Sequence, residues 1–373
     1  MTLVECTRCV MNSVVDPNLV LTDGICQHCT RYDQLLTSRI VPSDQRAGKL
    51  AALVKAVSRA GRKAPYDCII GVSGGVDSSY VALQVKRLGL RPLAVHVDNG
   101  WNSALAVLNI ERLLTKLDID LYTEVLRLDE FYDLQRAFLH ASTPDADIPA
   151  DHAIQATLWR VARQHGIRYI MSGMNFATES ISVPSWSYGH SDWRYIKDVH
   201  RKFGRIRLST YPHYGFATLG WTTFVRRVRI VSILNYLDFD KSRAMTELSR
   251  ELGWVPYAGK HYESIYTRWV QGYYLPRKFQ IDKRYGHYSD LINSGLIDRT
   301  AAISALEEVD YQEKQRREDE MLLQKKLSLS DDHLAEIISA RPASFREYRN
   351  SYVFVQFMRT TVNKLRRIGL YPR

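Results

Sequence analysis

The segment Ser73-Gly74-Gly75-Val76-Asp77-Ser78-Ser79 has the residue types of an anion cradle. Two adjacent glycines let backbone N–H groups approach a ligand closely, and the hydroxyls of Ser73, Ser78 and Ser79 add donors. A helix opening just after the glycines would turn its positive end toward the same point. Asp77 is the odd member, because a carboxylate repels phosphate; it suits holding Mg²⁺ against the phosphates or capping the helix. The segment lacks the lysine of a Walker A loop and the G-x-G-x-x-G of a dinucleotide fingerprint. Taken as spacing alone, it could also be a tight connection with no ligand.

A second constellation lies at the N-terminus. Cys6-Thr7-Arg8-Cys9 and Cys26-Gln27-His28-Cys29 are two CxxC knuckles separated by sixteen residues. Such a pair brings four thiolates to one point, which suits tetrahedral Zn²⁺ and leaves no open coordination position, so the metal would be structural. Two disulfides or four metal-free thiols are the alternatives. Cys68 stands alone in an apolar run and reads as a small buried hydrophobe; no cysteine follows it.

These residues need elements to position them. Residues 45–61 have helical spacing, and 66–72 read as an apolar strand ending in the Ser-Gly-Gly turn, followed by a helix over 77–88. Strands over 91–98, 119–126 and 167–173 then alternate with helices over 104–117, 130–140 and 151–165, with a proline-bearing loop (Pro144, Pro149) before the last. This order predicts an α/β fold with a doubly wound parallel sheet, whose ligands sit beyond the carboxyl ends of the strands. Val97, Asp98 and Asn99 end one strand; Gly173, Asn175 and Glu179 follow another. Asp98 or Asn175 alone could equally be a turn former. Beyond about residue 174 aromatics and arginines accumulate, and 220–373 reads as mainly helical. The expected organisation is a zinc-ribbon-like module at 1–32, a linker helix within 33–64, a nucleotide-binding domain at 65–219 and a helical substrate-binding region at 220–373.

With 45% hydrophobic and 24% charged residues, the 373-residue chain has the composition of a globular protein rather than a disordered one. Its apolar runs are too short to span a bilayer and its start lacks the pattern of a signal peptide, so a cytoplasmic location is expected. The net charge of +11 favours anionic partners, with Arg226, Arg227 and Arg229 in one cluster and Lys364, Arg366, Arg367 and Arg373 in another. Solvated helix faces account for most such clusters, and charge alone does not establish RNA binding.

The motif SGGVDSS resembles the pyrophosphate loop of the N-type ATP pyrophosphatases (PP-loop proteins), whose fold is the adenine nucleotide alpha-hydrolase-like (HUP) type. The resemblance implies ATP cleavage at the α phosphate, with AMP passing to a carbonyl or carboxylate oxygen before a nucleophile displaces it. It also implies ATP contacts at Ser73 to Ser79, Val97, Asp98, Asn99 and Gly173, Mg²⁺ at Asp77, and catalytic roles for Ser73, Asp77, Asn175 and Glu179.

Together, the paired CxxC knuckles, this loop and the stretch HYESIYTRWVQGYYLPRKFQIDKR (261–284) resemble the N-acetyl sugar amidotransferases of surface-polysaccharide (O-antigen, lipopolysaccharide) biosynthesis, the WbpG-like group. That resemblance implies a nucleotide-linked N-acetyl sugar, with UDP as the expected carrier, whose acetamido group becomes acetamidino through an adenylated imidate and ammonia. Position 2 holds Thr2 rather than a cysteine, and the chain has no Gly-x-Cys-x-Gly elbow, so neither common kind of glutaminase is built in. A separate glutaminase with an ammonia-channelling cyclase-like subunit is therefore expected; a homodimer is compatible with the sequence. Lys260, His261, Tyr262, Glu263, Arg268, Arg277, Lys278, Lys283 and Arg284 are candidates for the acidic substrate, with Tyr266, Trp269, Tyr273 and Tyr274 as stacking surfaces. An amphipathic helix with an aromatic core side would carry the same residues. The rival is an ATP-dependent tRNA-modifying enzyme of thiolation or lysidine type. The lack of later cysteines weighs against thiolation, and nucleic acid is the less favoured partner.

Overall fold

The computed structural model describes residues 3–257, 259, 262–308 and 311–367. A short hairpin of β1 (Leu21–Thr22) and β2 (Ile25–Cys26) turns through Asp23 and Gly24, both at positive φ (51° and 79°), as a tight antiparallel turn requires. It leads into α1 (Gln27–Arg39) and α2 (Ser43–Gly61). Strands and helices then alternate: β3 (Cys68–Gly71), α3 (Val76–Arg87), β4 (Pro92–Asp98), α4 (Ala104–Leu117), β5 (Leu121–Val125), α5 (Leu128–His140), α6 (Ile148–Gln164) and β6 (Tyr169–Ser172).

With β7 (Arg229–Ser232) added, the main sheet has five parallel strands in the order β5-β4-β3-β6-β7. The chain steps outward from β3 to β4 and β5, then returns past β3 to β6, so its direction of travel reverses at β3 and a crevice opens beyond that strand's carboxyl end. Alternate residues of β3 serve opposite faces. Ile70 packs with Val81 and Val85 of α3 and Ile110 and Leu113 of α4, whereas Ile69 packs with Ala156, Trp159 and Val161 of α6. Burying each isoleucine contributes roughly 1.5–3 kcal/mol.

β7 (Arg229–Ser232) departs from the expected boundary at 219/220. It pairs with β6 through Tyr169↔Arg229 to Ser172↔Ser232, and the following α9 (Lys241–Leu252) packs on α3, with Leu248 and Leu252 in the same core as Ile70. The unit built on the main sheet therefore continues past residue 250. As an edge strand, β7 keeps Arg229 and Ile230 exposed, and Arg229, close behind Arg226 and Arg227, reads as part of a charge cluster rather than of a strand.

The remainder is helical, as expected. Ile265–Trp269, a wider π-helical turn Val270–Tyr274 and Leu275–Phe279 form one continuous helical stretch, α10; α11 (Lys283–Asn293), α12 (Arg299–Glu307), α13 (Glu313–Leu327), α14 (Asp331–Ser339) and α15 (Tyr352–Arg367) follow. Tyr266, Trp269 and Tyr274 of α10 are fully buried among Phe131, Phe138, Leu323 and Ile337. The N-terminal module docks onto the helical region: Ser289 Oγ accepts from Val10 N–H (3.3 Å), Arg299 Nε donates to Cys9 C=O (3.1 Å) and Trp186 Nε1 donates to Val15 C=O (2.7 Å). Among the described residues no helix is long and apolar enough to cross a membrane.

Candidate active site

The turn between β3 and α3 is held by its own hydroxyls. Ser73 N–H donates to Ser78 Oγ (3.3 Å), Gly75 N–H donates to Ser73 Oγ (3.3 Å) and Ser78 Oγ donates to Gly75 C=O (3.1 Å). Gly74 takes φ +82°, and a Cβ there would lie 2.7 Å from Ala106 C=O of α4, so both conformation and space demand glycine. Its carbonyl accepts from Trp254 Nε1 (2.9 Å) and Tyr257 Oη (3.1 Å). The first intrahelical bond of α3 runs from Ser79 N–H to Gly75 C=O (3.1 Å), so the amides of Val76 to Ser78 lie ahead of it at the positive end of the helix. Val76 and Ser79 bury their side chains in the core. Sequence reasoning offers the Ser79 hydroxyl as a donor, but the side chain is buried behind the turn and its N–H is taken by Gly75 C=O, so Ser79 turns no donor toward the cleft.

The ends of β4 and β6 meet this turn. A Cβ on Gly173 would lie 3.0 Å from the carbonyl carbon of Asp77 and 3.1 Å from Ser78 N, so the β6 exit presses on the head of α3. Asn175 is buried and caps the short helix α7 (Phe176–Glu179), its Oδ1 accepting from Thr178 N–H (3.0 Å) and Oγ1 (2.9 Å). Asp98 spends its carboxylate on Gly100 N–H (2.9 Å) rather than on the cleft wall. His96 does face the cleft. Asn102 Nδ2 donates to its Nε2 (2.9 Å), which leaves the proton on Nδ1 for Val72 C=O (2.9 Å).

A cavity of about 420 Å³ opens over the β3 and β4 ends, with Val72, Ser73, Val97, Asn99 and Glu263 on its walls. Glu263 Oε1 comes within 3.4 Å of the Cβ position of Gly75, so a second carboxylate besides Asp77 flanks the turn. The same cavity is also lined by Asp145, Asp147 and Asp151, three acids that sequence reasoning passed over as a proline-bearing loop and a helix start. Their spacing in TPDADIPAD, immediately before a helix, was the available signal. Asp145 is buried and accepts from Ser187 Oγ (2.9 Å), Tyr188 N–H (2.8 Å) and Tyr195 Oη (3.0 Å); burial pushes its carboxyl up. Asp147 accepts from Thr267 Oγ1 (3.2 Å) and Gln271 Nε2 (3.3 Å) of α10. Asp151 opens onto the cleft, and confinement there, reinforced by Asp147 and opposed by Lys283, pushes its carboxyl up to about 7.

A second, larger cavity of about 890 Å³ adjoins the first, and Ser187, Gln271 and Lys283 line both. Its walls bear Glu179, Lys241, Tyr262, Arg284, His287 and Tyr311. Of the expected substrate residues, Tyr262, Arg268, Lys283 and Arg284 line this cavity and Glu263 lines the first, while Lys260 and His261 lie outside the described residues. Arg268 is engaged by Asp319 (2.6 and 2.8 Å) and Arg284 by Asp282 (2.8 Å). Lys278 does not reach either cavity: it is buried, bonded to Ser142 Oγ (2.9 Å) and Ile337 C=O, and burial lowers it to about 8. Arg277 points to solvent away from both. Tyr266, Trp269 and Tyr274 are core and offer no stacking face; Tyr273 lies beneath Arg316, 4.6 Å from its ring centroid.

The cysteines form a separate centre. The sulfurs of Cys6, Cys9, Cys26 and Cys29 lie within 4.8 Å of one another, all buried. A zinc ion bonded at about 2.3 Å to four tetrahedral sulfurs separates them by about 3.8 Å, and the observed pairs include 3.6, 3.7 and 4.0 Å. Met11 N–H and Cys26 N–H donate to Cys9 Sγ (3.5 Å) and Cys6 Sγ (3.3 Å), which suits thiolates. The cluster can hold a structural zinc.

A parallel sheet wound outward and back from β3, with SGGVDSS joining that strand to its helix, is an α/β, doubly wound fold in which the loop that resembles the PP-loop motif sits at the reversal point of the strand order. The C-terminal part is more specific. Residues 263–361 match the family model described as "LPS biosynthesis protein WbpG-like, C-terminal domain". No curated protein matches the chain. Solved structures similar to it include an NMN synthetase from Francisella tularensis (19% identity, 53% of this chain and 75% of that one, TM-score 0.28). A predicted tRNA methyltransferase subunit from Methanocaldococcus jannaschii DSM is another (12% identity, 49% and 75%, TM-score 0.28).

Proposed function

We propose that the chain is an ATP-dependent amidotransferase that converts the acetamido group of a nucleotide-linked N-acetyl sugar to an acetamidino group, releasing AMP and pyrophosphate. The observation that carries this reading is the continuity of the two cavities at Ser187, Gln271 and Lys283. One cavity begins at the phosphate-type turn; the other is walled largely by the WbpG-like domain. A molecule in each would place its reactive end at the shared wall.

In this reading the amides at the head of α3 and the Ser73 hydroxyl hold the β and γ phosphates, and the adenosine lies along the end of β4. Asp77 and Glu263 offer the hard oxygens that Mg²⁺ takes; the ion would neutralise phosphate charge when bound. The amide oxygen attacks the α phosphorus, its new O–P bond replacing the bond to pyrophosphate. Lys283 stands where it can draw the negative charge of that centre. Ammonia then bonds to the imidate carbon, loses a proton, and AMP departs with the C–O electron pair. The ammonia would come from a separate glutaminase with a cyclase-like channelling subunit.

The test incubates the protein with ATP, Mg²⁺, ammonium and a panel of nucleotide-sugars. AMP and a product with NH in place of oxygen should form only with acetamido sugars. ADP as the product, or AMP formed without regard to the acetamido group, would refute the reading. Asp77→Asn should abolish pyrophosphate release with an unchanged melting curve.

A further inference from the structure

The segment 216–232 and helix α15 together expose an apolar surface that the nucleotide site does not use. Trp221 (54% exposed), Phe224 (58%) and Val225 lie on the first; Val353 (81%), Phe354, Phe357 (66%) and Met358 lie on the second. The spacing 353, 354, 357, 358 gathers the latter onto one helical stripe. Phe216 meets Phe354 edge to face at 5.2 Å, which joins the two elements into one surface. Isolated exposed hydrophobics need no explanation, but a contiguous aromatic and aliphatic patch does.

The two elements themselves carry charges of one sign. Neither 216–232 nor 352–367 contains an acidic residue. Arg226, Arg227, Arg229 and Lys364 are exposed on these elements. Arg227 adopts φ +56°, a left-handed turn position that lifts the cationic pair Arg226-Arg227 out of the fold. This turn precedes β7, so in a parallel sheet it lies at the end opposite the Ser-Gly-Gly turn. A body seated here would leave both cavities open.

We propose that this surface docks the protein on an anionic lipid bilayer, with Trp221, Phe224, Val353 and Phe357 entering the headgroup boundary and the arginines meeting lipid phosphates. A helix with an apolar stripe, a cationic remainder and no acids is the chemistry that lies in such an interface, and α15 is too short to span one.

The full chain is sedimented with vesicles of phosphatidylcholine alone or with added phosphatidylglycerol, at low and high salt, in parallel with light scattering to measure its oligomeric state. Binding is expected to the anionic vesicles only and to weaken with salt. The double variants Val353→Ser/Phe357→Ser and Arg226→Glu/Arg227→Glu should each reduce partitioning by about tenfold or more, with melting curves unchanged because all four side chains are exposed. Recovery of the protein in the supernatant of anionic vesicles overturns the proposal. So does binding that salt abolishes but the serine variant leaves intact, which would be charge without insertion. A concentration-dependent dimer dispersed by the serine variant, without vesicle binding, would assign the surface to a second copy and likewise overturn it.

Discussion

Replacing Gly74 with alanine tests whether the phosphate-type turn is fixed by the geometry described. At φ +82° any Cβ incurs the left-handed penalty, about 1–2 kcal/mol. That Cβ would also lie 2.7 Å from the Ala106 carbonyl and 3.1 Å from the Ala106 Cα, backbone atoms of α4 that yield only if the helix moves. Forcing a methyl into such a contact adds about 1–3 kcal/mol. The sum, roughly 2–5 kcal/mol, should lower the melting midpoint by about 3–6 °C for a chain of this length. Relief by movement would drag the turn outward and misalign the amides of Val76 to Ser78, so pyrophosphate release should fall by about a hundredfold for a displacement near 1 Å. Trp254→Phe is the control. It removes one donor to the Gly74 carbonyl while Tyr257 Oη remains, and should cost only about 1 kcal/mol. Calorimetry on both variants, with pyrophosphate release measured alongside, decides the matter. A Gly74→Ala protein that melts like the parent and keeps its turnover would refute the reasoning.

Three further outcomes are expected. Arg268→Ala strands the buried Asp319 carboxylate and should destabilise by about 3–5 kcal/mol in denaturant titration, whereas Arg268→Met with Asp319→Leu should restore most of the loss. Asp151 is exposed at the cleft, yet desolvation there and the neighbouring Asp147 push its carboxyl up to about 7, so a small, solvent-screened stabilisation is present below its unfolded value and is lost as pH rises through the folded one. Asp151→Asn should therefore raise the melting midpoint at about pH 8 and leave it unchanged near about pH 3; equal shifts at both would contradict the assignment. Cys29→Ser or a strong chelator should release zinc and open residues 3–39 to protease, since the module docks through backbone groups such as Val10 N–H and Cys9 C=O.

Elements whose two faces serve different neighbours were legible in the sequence. β3, β4 and β6 are short apolar runs closed by turn residues, and α3 and α4 keep helical spacing, so their order alone gave a parallel sheet and the place to look for a ligand. β7 was hidden because an edge strand buries little, and its Arg229 resembles part of a basic surface. The turn Ser73 to Ser79 was legible because glycine and serine act there through local backbone geometry. Asp147 and Asp151 were not, since their meaning depends on Thr267, Gln271 and Lys283, more than a hundred residues away in the chain. The aromatics of α10 show the reverse error: a conspicuous composition that the fold uses for its core.

The junction at the end of β4 bears on how such proteins diversify. Asn102 and Ser264 form a β-bridge, Ser103 N–H donates to Glu263 C=O (2.9 Å) and Ile265 N–H donates to Trp101 C=O (2.9 Å). The first residues of the segment that matches the WbpG-like model are thus stitched into the rim of the first cavity. A chimera that grafts another C-terminal segment onto this sheet must therefore keep 101–103 and 263–265 in backbone register, so these two distant stretches fold as one piece rather than as separable cassettes.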